Sequence, residues 1–99
     1  MVFEFSESEF NEVIEKYFIQ QNPPVLKEFP SKEKKKYLCL MPIMSIFDKS
    51  KIYSEKEINE MIKTVYAYDY CIIRRYLVDY GFLSRSKDGR TYSVDEVKL

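Results

Sequence analysis

The fold is decided by residues 53–94, which read YSEKEINEMIKTVYAYDYCIIRRYLVDYGFLSRSKDGRTYSV. Their first part predicts a helix over residues 53–65, because Ser54 and Glu57 have the spacing of a capping box, in which each side chain bonds the other residue's backbone N–H. Apolar side chains then recur three and four residues apart, which places them on one helical face that must pack against a core. That face consists of Ile58, Met61, Ile62 and Val65.

The next part of this stretch predicts a second helix over residues 69–80. Asp69 is a favourable N-cap, and Gly81 stands just past the helix end, where a left-handed residue is commonly glycine. The helical period divides the side chains between an inward and an outward arc. The inward arc consists of Ile72, Ile73, Tyr76, Leu77 and Tyr80, and the outward arc of Tyr70, Cys71, Arg74, Arg75 and Val78.

The last part, residues 82–94, predicts a two-stranded antiparallel hairpin. Its two halves, Phe82–Arg85 and Arg90–Val94, read as strands, and Asp88-Gly89 between them is a favourable turn dipeptide. Two helices followed by a hairpin "wing" form a layout that often binds DNA. Domains of this kind also serve as protein docking modules.

Residues 1–24 predict one further helix and a stiff linker. Ser6 and Glu9 have capping-box spacing, and Asn22-Pro23-Pro24 ends the segment because a residue before proline avoids the helical conformation. This acidic helix either packs on its own core or pairs with its twin in a dimer. Its apolar stripe consists of Phe10, Val13, Ile14, Tyr17 and Phe18.

A central helix is predicted over Lys32–Phe47, with Ser31 as its N-cap. From Tyr37 onward the helix is apolar nearly all round, so we expect it to be buried. Pro42 lacks an N–H and crowds the preceding turn. We therefore expect a kink or an early helix end near Met41.

Together these elements predict a single domain over residues 1–99, with a winged-helix-like core over residues 25–94. The fold class is α+β, with about four helices followed by a two-stranded antiparallel β-hairpin. A chain of 99 residues, 45% of them apolar, can bury one core without disulfides.

Catalysis, metal binding and membrane insertion find little support in the composition. The chain has no His and only two Gly, and Cys39 and Cys71 do not form a Cys-x-x-Cys motif, so we expect no enzyme, no metal site and no cofactor. The acidic N-terminus does not read as a signal peptide, and the apolar run Tyr37–Met44 is too short to cross a bilayer. The sequence thus predicts a cytoplasmic protein without a membrane partner.

The charge is balanced overall, with 16 basic and 16 acidic residues, which counts mildly against a dedicated nucleic-acid binder. It is unevenly spread, because residues 1–29 carry −4 and residues 71–99 carry +2. Basic side chains near the C-terminal end can face phosphate.

The lysines of residues 32–36 either bind phosphate at a helix start or form a solvated face. The candidate nucleic-acid-binding residues are Tyr70, Arg74, Arg75, Arg85, Lys87 and Arg90.

Each candidate on the second helix also has a structural interpretation. Arg75 and Asp79 are one turn apart and can form an ion pair. Arg74 either reads guanine or phosphate or stacks on the ring of Tyr70. The side chains of Arg74 and Lys87 are both expected in solvent.

Several segments carry a resemblance to a known family: VLKEFPSK at 25–32, YSEKEIN at 53–59, Asp69, RRxLVDxGFLxR at 74–85, and GxxY at 89–92. As a set they are similar to a bacterial family, domain of unknown function 2087, over about residues 25–94. The resemblance implies a winged-helix-like α+β domain found in bacterial transcription-regulator proteins. It implies no established catalytic or binding residues.

We therefore expect a bacterial transcription-regulatory domain that binds double-stranded DNA through the helix 69–80 and the hairpin 82–94. Val78, beside Arg74 on the outward arc, suits a thymine methyl contact and equally suits a protein interface. The alternative is a protein-interaction or dimerisation module that binds no DNA. Its partner would be a second copy of the chain or a regulatory protein.

Overall fold

The computed structural model describes residues 2–95, which form an α+β fold with four α-helices and two small antiparallel sheets. Short 3₁₀ turns follow the second helix and precede the fourth. No helix among these residues has the length and apolar content to cross a membrane. The elements are α1 (Glu7–Tyr17), β1 (Phe18–Gln21), β2 (Pro24–Leu26), α2 (Glu33–Ile43), β3 (Ile52–Ser54), α3 (Glu55–Lys63), α4 (Tyr70–Asp79), β4 (Leu83–Arg85) and β5 (Thr91–Val94).

The helices α3 and α4 begin directly after the residues that were predicted to cap them. The Ser54 hydroxyl accepts from the Glu57 N–H at 3.1 Å, and Glu57 Oε1 accepts from the Ser54 N–H at 2.9 Å. This bond to the backbone N–H of Ser54 is the main reason why the pKa of Glu57 is lowered. Asp69 Oδ1 accepts from the N–H of Ile72 at 3.3 Å and caps α4. The predicted capping box and N-cap are confirmed.

The N-terminal helix also begins as predicted, but the expected linker after it is wrong. Ser6 caps α1 by accepting from the Glu9 N–H at 3.1 Å. After Tyr17 the chain turns back on itself, so Asn22 and Pro23 join the strands β1 and β2 of a hairpin, and Pro24 is the first residue of β2. Phe18 stays buried, opposite Leu26 across that hairpin. The strands have four and three residues, too few to show a period in the sequence.

Helix α2 is the buried centre, as predicted, although its ends differ. Its N-cap is Lys32, which makes no side-chain capping bond, so the prediction of Ser31 is wrong. It ends at Ile43, before the predicted Phe47, and Met44–Ile46 continue as a 3₁₀ turn. This earlier end agrees with a proline in the last turn. The fully buried side chains of α2 are Leu38, Cys39, Leu40 and Ile43.

The sheet at the C-terminal end has three strands, in the order β3-β5-β4, rather than the predicted two. The antiparallel pair β4–β5 is the expected hairpin, and β3 joins it by pairing Tyr53 with Tyr92. Both tyrosines are buried. The strand β3 was not predicted because it has only three residues and its last one, Ser54, also caps α3.

The core lies between the helices and this sheet. Helix α4 contributes Ile73, Leu77 and the adjoining Tyr80 as buried residues, while Ile72 and Tyr76 are half-buried against the core. The predicted inward arc is therefore confirmed, but the expectation that Tyr70 and Val78 are exposed on the outward arc is wrong, because both are half-buried against the core. Helix α1 packs on α2 of the same chain, and its buried residues are Val13, Ile14 and Tyr17.

Gly81 has a φ of 84°, the left-handed conformation that its position after α4 predicted. Its N–H donates to the Val78 carbonyl at 3.0 Å, and the Phe82 N–H donates to the Leu77 carbonyl at 2.8 Å.

We expect Gly81→Val to lower the free energy of unfolding by about 1–2 kcal/mol or more, since a β-branched residue is strained in the left-handed conformation. Urea denaturation followed by circular dichroism measures the change.

The matched control is Gly81→Asn, which should cost less because asparagine tolerates the left-handed conformation better than other side chains. An equal loss in both variants, or no loss in Gly81→Val, would contradict a left-handed residue at this position.

Candidate nucleic-acid interface

The outward side of α4 and the neighbouring sheet enclose an open groove of about 450 Å³. We call it the arginine groove, because one side chain from β4 and two from α4 bring three guanidinium groups to it. Gly81 reverses the chain between α4 and β4, so residues far apart in sequence meet there. The lining residues are Cys71, Arg74, Arg75, Val78, Asp79, Arg85 and Tyr92.

Arg74 connects α4 to α3. Its Nη1 lies 3.3 Å from Glu55 Oε1 and donates to the side-chain oxygen of Asn59. Its side chain is only 22% exposed, so the expectation that Arg74 lies in solvent is wrong. Glu55 and Asn59 are one turn apart on α3, and the packing of α3 on α4 turns both toward Arg74.

Tyr70 lies outside the lining of the arginine groove. Lys63 lies over its ring, with Nζ 4.8 Å from the ring centroid. The stacking of Arg74 on Tyr70, one of the two alternatives for Arg74, is therefore not observed. The ring faces Lys63 at the end of α3, and Arg74 contacts Glu55 on the same helix. Tyr70 thus contacts α3, as Arg74 does, and lies outside the groove that the three arginines line.

Arg75 is the exposed arginine of α4, with 77% of its side chain accessible. Its Nε lies 3.7 Å from Asp79 Oδ2, which confirms the ion pair that the spacing predicted. A pair this exposed is worth at most about 1 kcal/mol. Arg75 can therefore leave Asp79 for a phosphate at little cost.

Arg85 is exposed, and its guanidinium lies against Gly89 in the hairpin turn. A Cβ atom on Gly89 would lie 2.6 Å from Arg85 Nη2, and Gly89 has a φ of 73°. The left-handed backbone conformation favours glycine here, and a larger residue would also displace the flexible end of the Arg85 side chain.

The hairpin tip is organised around Asp88. Its Oδ1 accepts from the Ser86 hydroxyl at 2.6 Å and from the Arg90 N–H at 3.0 Å, and the Ser86 bond is the main cause of its lowered pKa. Arg90 Nε lies 4.0 Å from Asp88 Oδ2. Lys87 and Arg90 are both exposed at this tip, beyond the lining of the arginine groove.

The candidate face is basic but interrupted. The side chains that line the arginine groove or lie at the hairpin tip include five cations, and three carboxylates accompany them. The face therefore keeps a net charge of about +2, which attracts phosphate weakly. The carboxylates are Glu55, Asp79 and Asp88.

Three further residues of this face, Glu55, Asn59 and Tyr92, were not predicted from the sequence. Tyr92 lines the groove beside Arg85, its partner in the β4–β5 register. The spacing of Glu55 and Asn59 puts them on one side of α3, but only the crossing of α3 and α4 shows that this side meets Arg74.

The two cysteines differ in environment. Cys39 is fully buried in α2, and this burial raises its pKa to about 12. Cys71 is exposed and lines the arginine groove. Within residues 2–95, no three Cys, Asp or Glu side chains are arranged to hold a metal ion.

A family model described as "Uncharacterized protein conserved in bacteria (DUF2087)" matches residues 25–94. The match confirms the family that the sequence segments resemble. It runs from β2 to β5, so it contains the whole arginine groove and excludes α1. No curated protein and no solved structure matches the chain.

Proposed function

This chain belongs to the DUF2087 family of bacterial proteins, and we propose that it is a transcription-regulatory winged-helix domain that binds double-stranded DNA through α4 and the β4–β5 hairpin. The observation that carries the proposal is the arginine groove, where Arg74, Arg75 and Arg85 come together between a helix and a hairpin. Backbone phosphates are the ligands that such guanidinium groups bind most readily.

The order of the elements supports the winged-helix interpretation. From α2 to β5 the chain runs helix, strand, two helices and hairpin, and β3 adds its edge to the hairpin strand β5. In such a layout the second of the paired helices, here α4, enters the major groove and the hairpin lies along the backbone. An α4 of ten residues is about 15 Å long, enough to lie across a major groove about 12 Å wide.

The contacts of each side chain suggest a division of roles. Arg75 and Arg85 are exposed and held weakly or not at all by carboxylates, so they bind phosphate at the groove. Lys87 and Arg90 add phosphate contacts at the hairpin tip. Arg74, held by α3, orients α4 and adds charge rather than reading a base.

Two apolar or aromatic side chains complete the proposed interface. Val78 lines the same groove and would contact a thymine methyl group. Tyr70, toward α3, would contact the backbone beyond the groove.

The test is fluorescence anisotropy with random-sequence duplex DNA. Four phosphate contacts predict a log–log salt slope of about −3.6, so affinity should fall about 100-fold between about 50 mM and about 200 mM salt. Anisotropy that stays flat with about 100 µM protein in dilute buffer, at the weak edge of non-specific binding, would exclude DNA binding.

A second candidate is a protein-interaction or dimerisation module on the same surface. It is favoured by the carboxylate partners, since Arg74, Arg75 and Arg90 each have one. For such an interface, Val78→Asp and Tyr70→Ala should weaken partner binding or self-association more than Lys87→Ala, because apolar and aromatic anchors dominate interface energies. Sedimentation equilibrium of the same three variants measures their self-association.

A further inference from the structure

A second groove, of about 330 Å³, lies on another side of α4, between that helix and the chain preceding α2. We call it the tyrosine groove, because Tyr66 and Tyr68 line it together with Phe29, Ser31 and Lys36. We propose that the tyrosine groove binds a small aromatic carboxylate, with the ring against the tyrosines and the carboxylate on Lys36. The proposal uses none of the groups assigned to DNA and does not rest on DNA binding.

Tyr68 is the first observation. Its side chain is 90% exposed, and the ring makes a tilted contact with Tyr66 at 6.0 Å between centroids. Tyr68 therefore contributes little to the core, and one flat face of its ring is open to solvent at the groove. An exposed aromatic face is a stacking surface for another ring.

Lys36 is the second observation. It is half-buried, its Nζ lies 3.0 Å from the Tyr76 hydroxyl, and the same atom lies 4.3 Å from the centroid of that ring. Within residues 2–95 no carboxylate lies within 4.0 Å of Lys36 Nζ. The ammonium group is thus held in place by a neutral partner, and its charge is available to an anion in a partly desolvated site.

The one carboxylate in the lining fixes the polarity of the groove. Asp69 caps α4 through its bond to the Ile72 N–H, and Tyr76 follows it by seven residues, about 10 Å along the helix axis. Because the Asp69 carboxylate repels an anion, the ligand carboxylate is placed at Lys36, whose Nζ bonds Tyr76 beyond the groove lining. The ring then lies toward Tyr68, at the Asp69 end.

Size and donor count narrow the ligand class. The groove volume is at the lower end for small-molecule sites, which suits one or two fused rings. The Lys36 ammonium and the Ser31 hydroxyl both belong to the groove lining and together can satisfy a monoanionic carboxylate. A phosphate, with about two charges and three acceptor oxygens, would need more donors than this lining offers.

The experiment is an amide NMR titration of the full chain with naphthoate, and with the neutral naphthamide as the matched ligand. We expect shifts at Lys36, Tyr68 and Ile72, and naphthoate should bind about tenfold more tightly because the amide lacks the charge that Lys36 pairs with. Lys36→Met should weaken naphthoate binding about tenfold and leave naphthamide unchanged. Lys36→Arg should retain the preference for the acid.

Tyr68→Ala tests the ring site separately. It should weaken both ligands about fivefold, as expected for loss of one stacking partner, and its high exposure leaves the fold intact. The control is Lys56→Met, an exposed lysine of α3, which should change neither affinity. Equal affinity for acid and amide, or shifts confined to the arginine groove, would overturn the proposal.

Discussion

Phe82→Ala should lower the free energy of unfolding by about 3–5 kcal/mol, the largest loss that we expect from one substitution in this chain. Phe82 is fully buried between the end of α4 and the start of β4, and its ring lies 5.4 Å from that of Tyr37 on α2. Removing the ring leaves a cavity where α4, the central helix α2 and the strand β4 meet. Urea denaturation monitored by circular dichroism measures the loss.

The control for Phe82→Ala is Phe5→Ala, the same chemical change at a site that is 37% exposed. Because solvent already reaches the Phe5 ring, its removal leaves no closed cavity and should cost only about 1–2 kcal/mol. A domain of this size is stable by only about 5–15 kcal/mol, so the two variants should differ clearly in urea midpoint. Similar losses would show that Phe82 is not a core residue.

Reversing two charges in the arginine groove should reduce DNA affinity about 100-fold or more at low salt. The double variant Arg75→Glu/Arg85→Glu removes two proposed phosphate contacts and adds repulsion, so the log–log salt slope should flatten by about two. Both side chains are exposed, so the fold should remain intact. The measurement is the anisotropy titration at two salt concentrations.

The matched control is Lys27→Glu/Lys49→Glu, which changes the net charge equally at exposed positions outside the groove lining. It should lose much less affinity, because only contacts close to phosphate release counterions. Equal losses in the two double variants would mean that net charge alone, rather than this face, attracts DNA. Arg74 is a poor first probe, since its removal also unpairs Glu55 and Asn59.

The candidate site could be predicted from the sequence in part. Arg74 and Arg75 share the outward arc of a helix whose caps are readable, and Asp88-Gly89 marks the turn of the hairpin, so both elements could be located. The sequence does not predict that Arg85 and Arg75 line the same groove, because this depends on how the hairpin folds back on α4. The tyrosine groove could not be predicted either, since Tyr68 is more than thirty residues from Phe29 and Lys36 in sequence.

The sequence by itself determined the local structure. The caps Ser6, Ser54 and Asp69 start three helices, and Gly81 ends the last one. The apolar spacing of α4 fixes its buried side. These features depend on residues a few positions apart, whose bonds form within a single turn of chain, so a single sequence contains the information for them.

Only the tertiary structure decided what the distant residues do. It added β3 to the hairpin, because strand pairing depends on partners some forty residues apart. In the tertiary structure Arg74 contacts α3 rather than solvent, because the crossing of α3 and α4 brings Glu55 and Asn59 to its guanidinium group. Both outcomes come from contacts between separate elements, whose geometry follows from packing the whole core rather than from any local pattern.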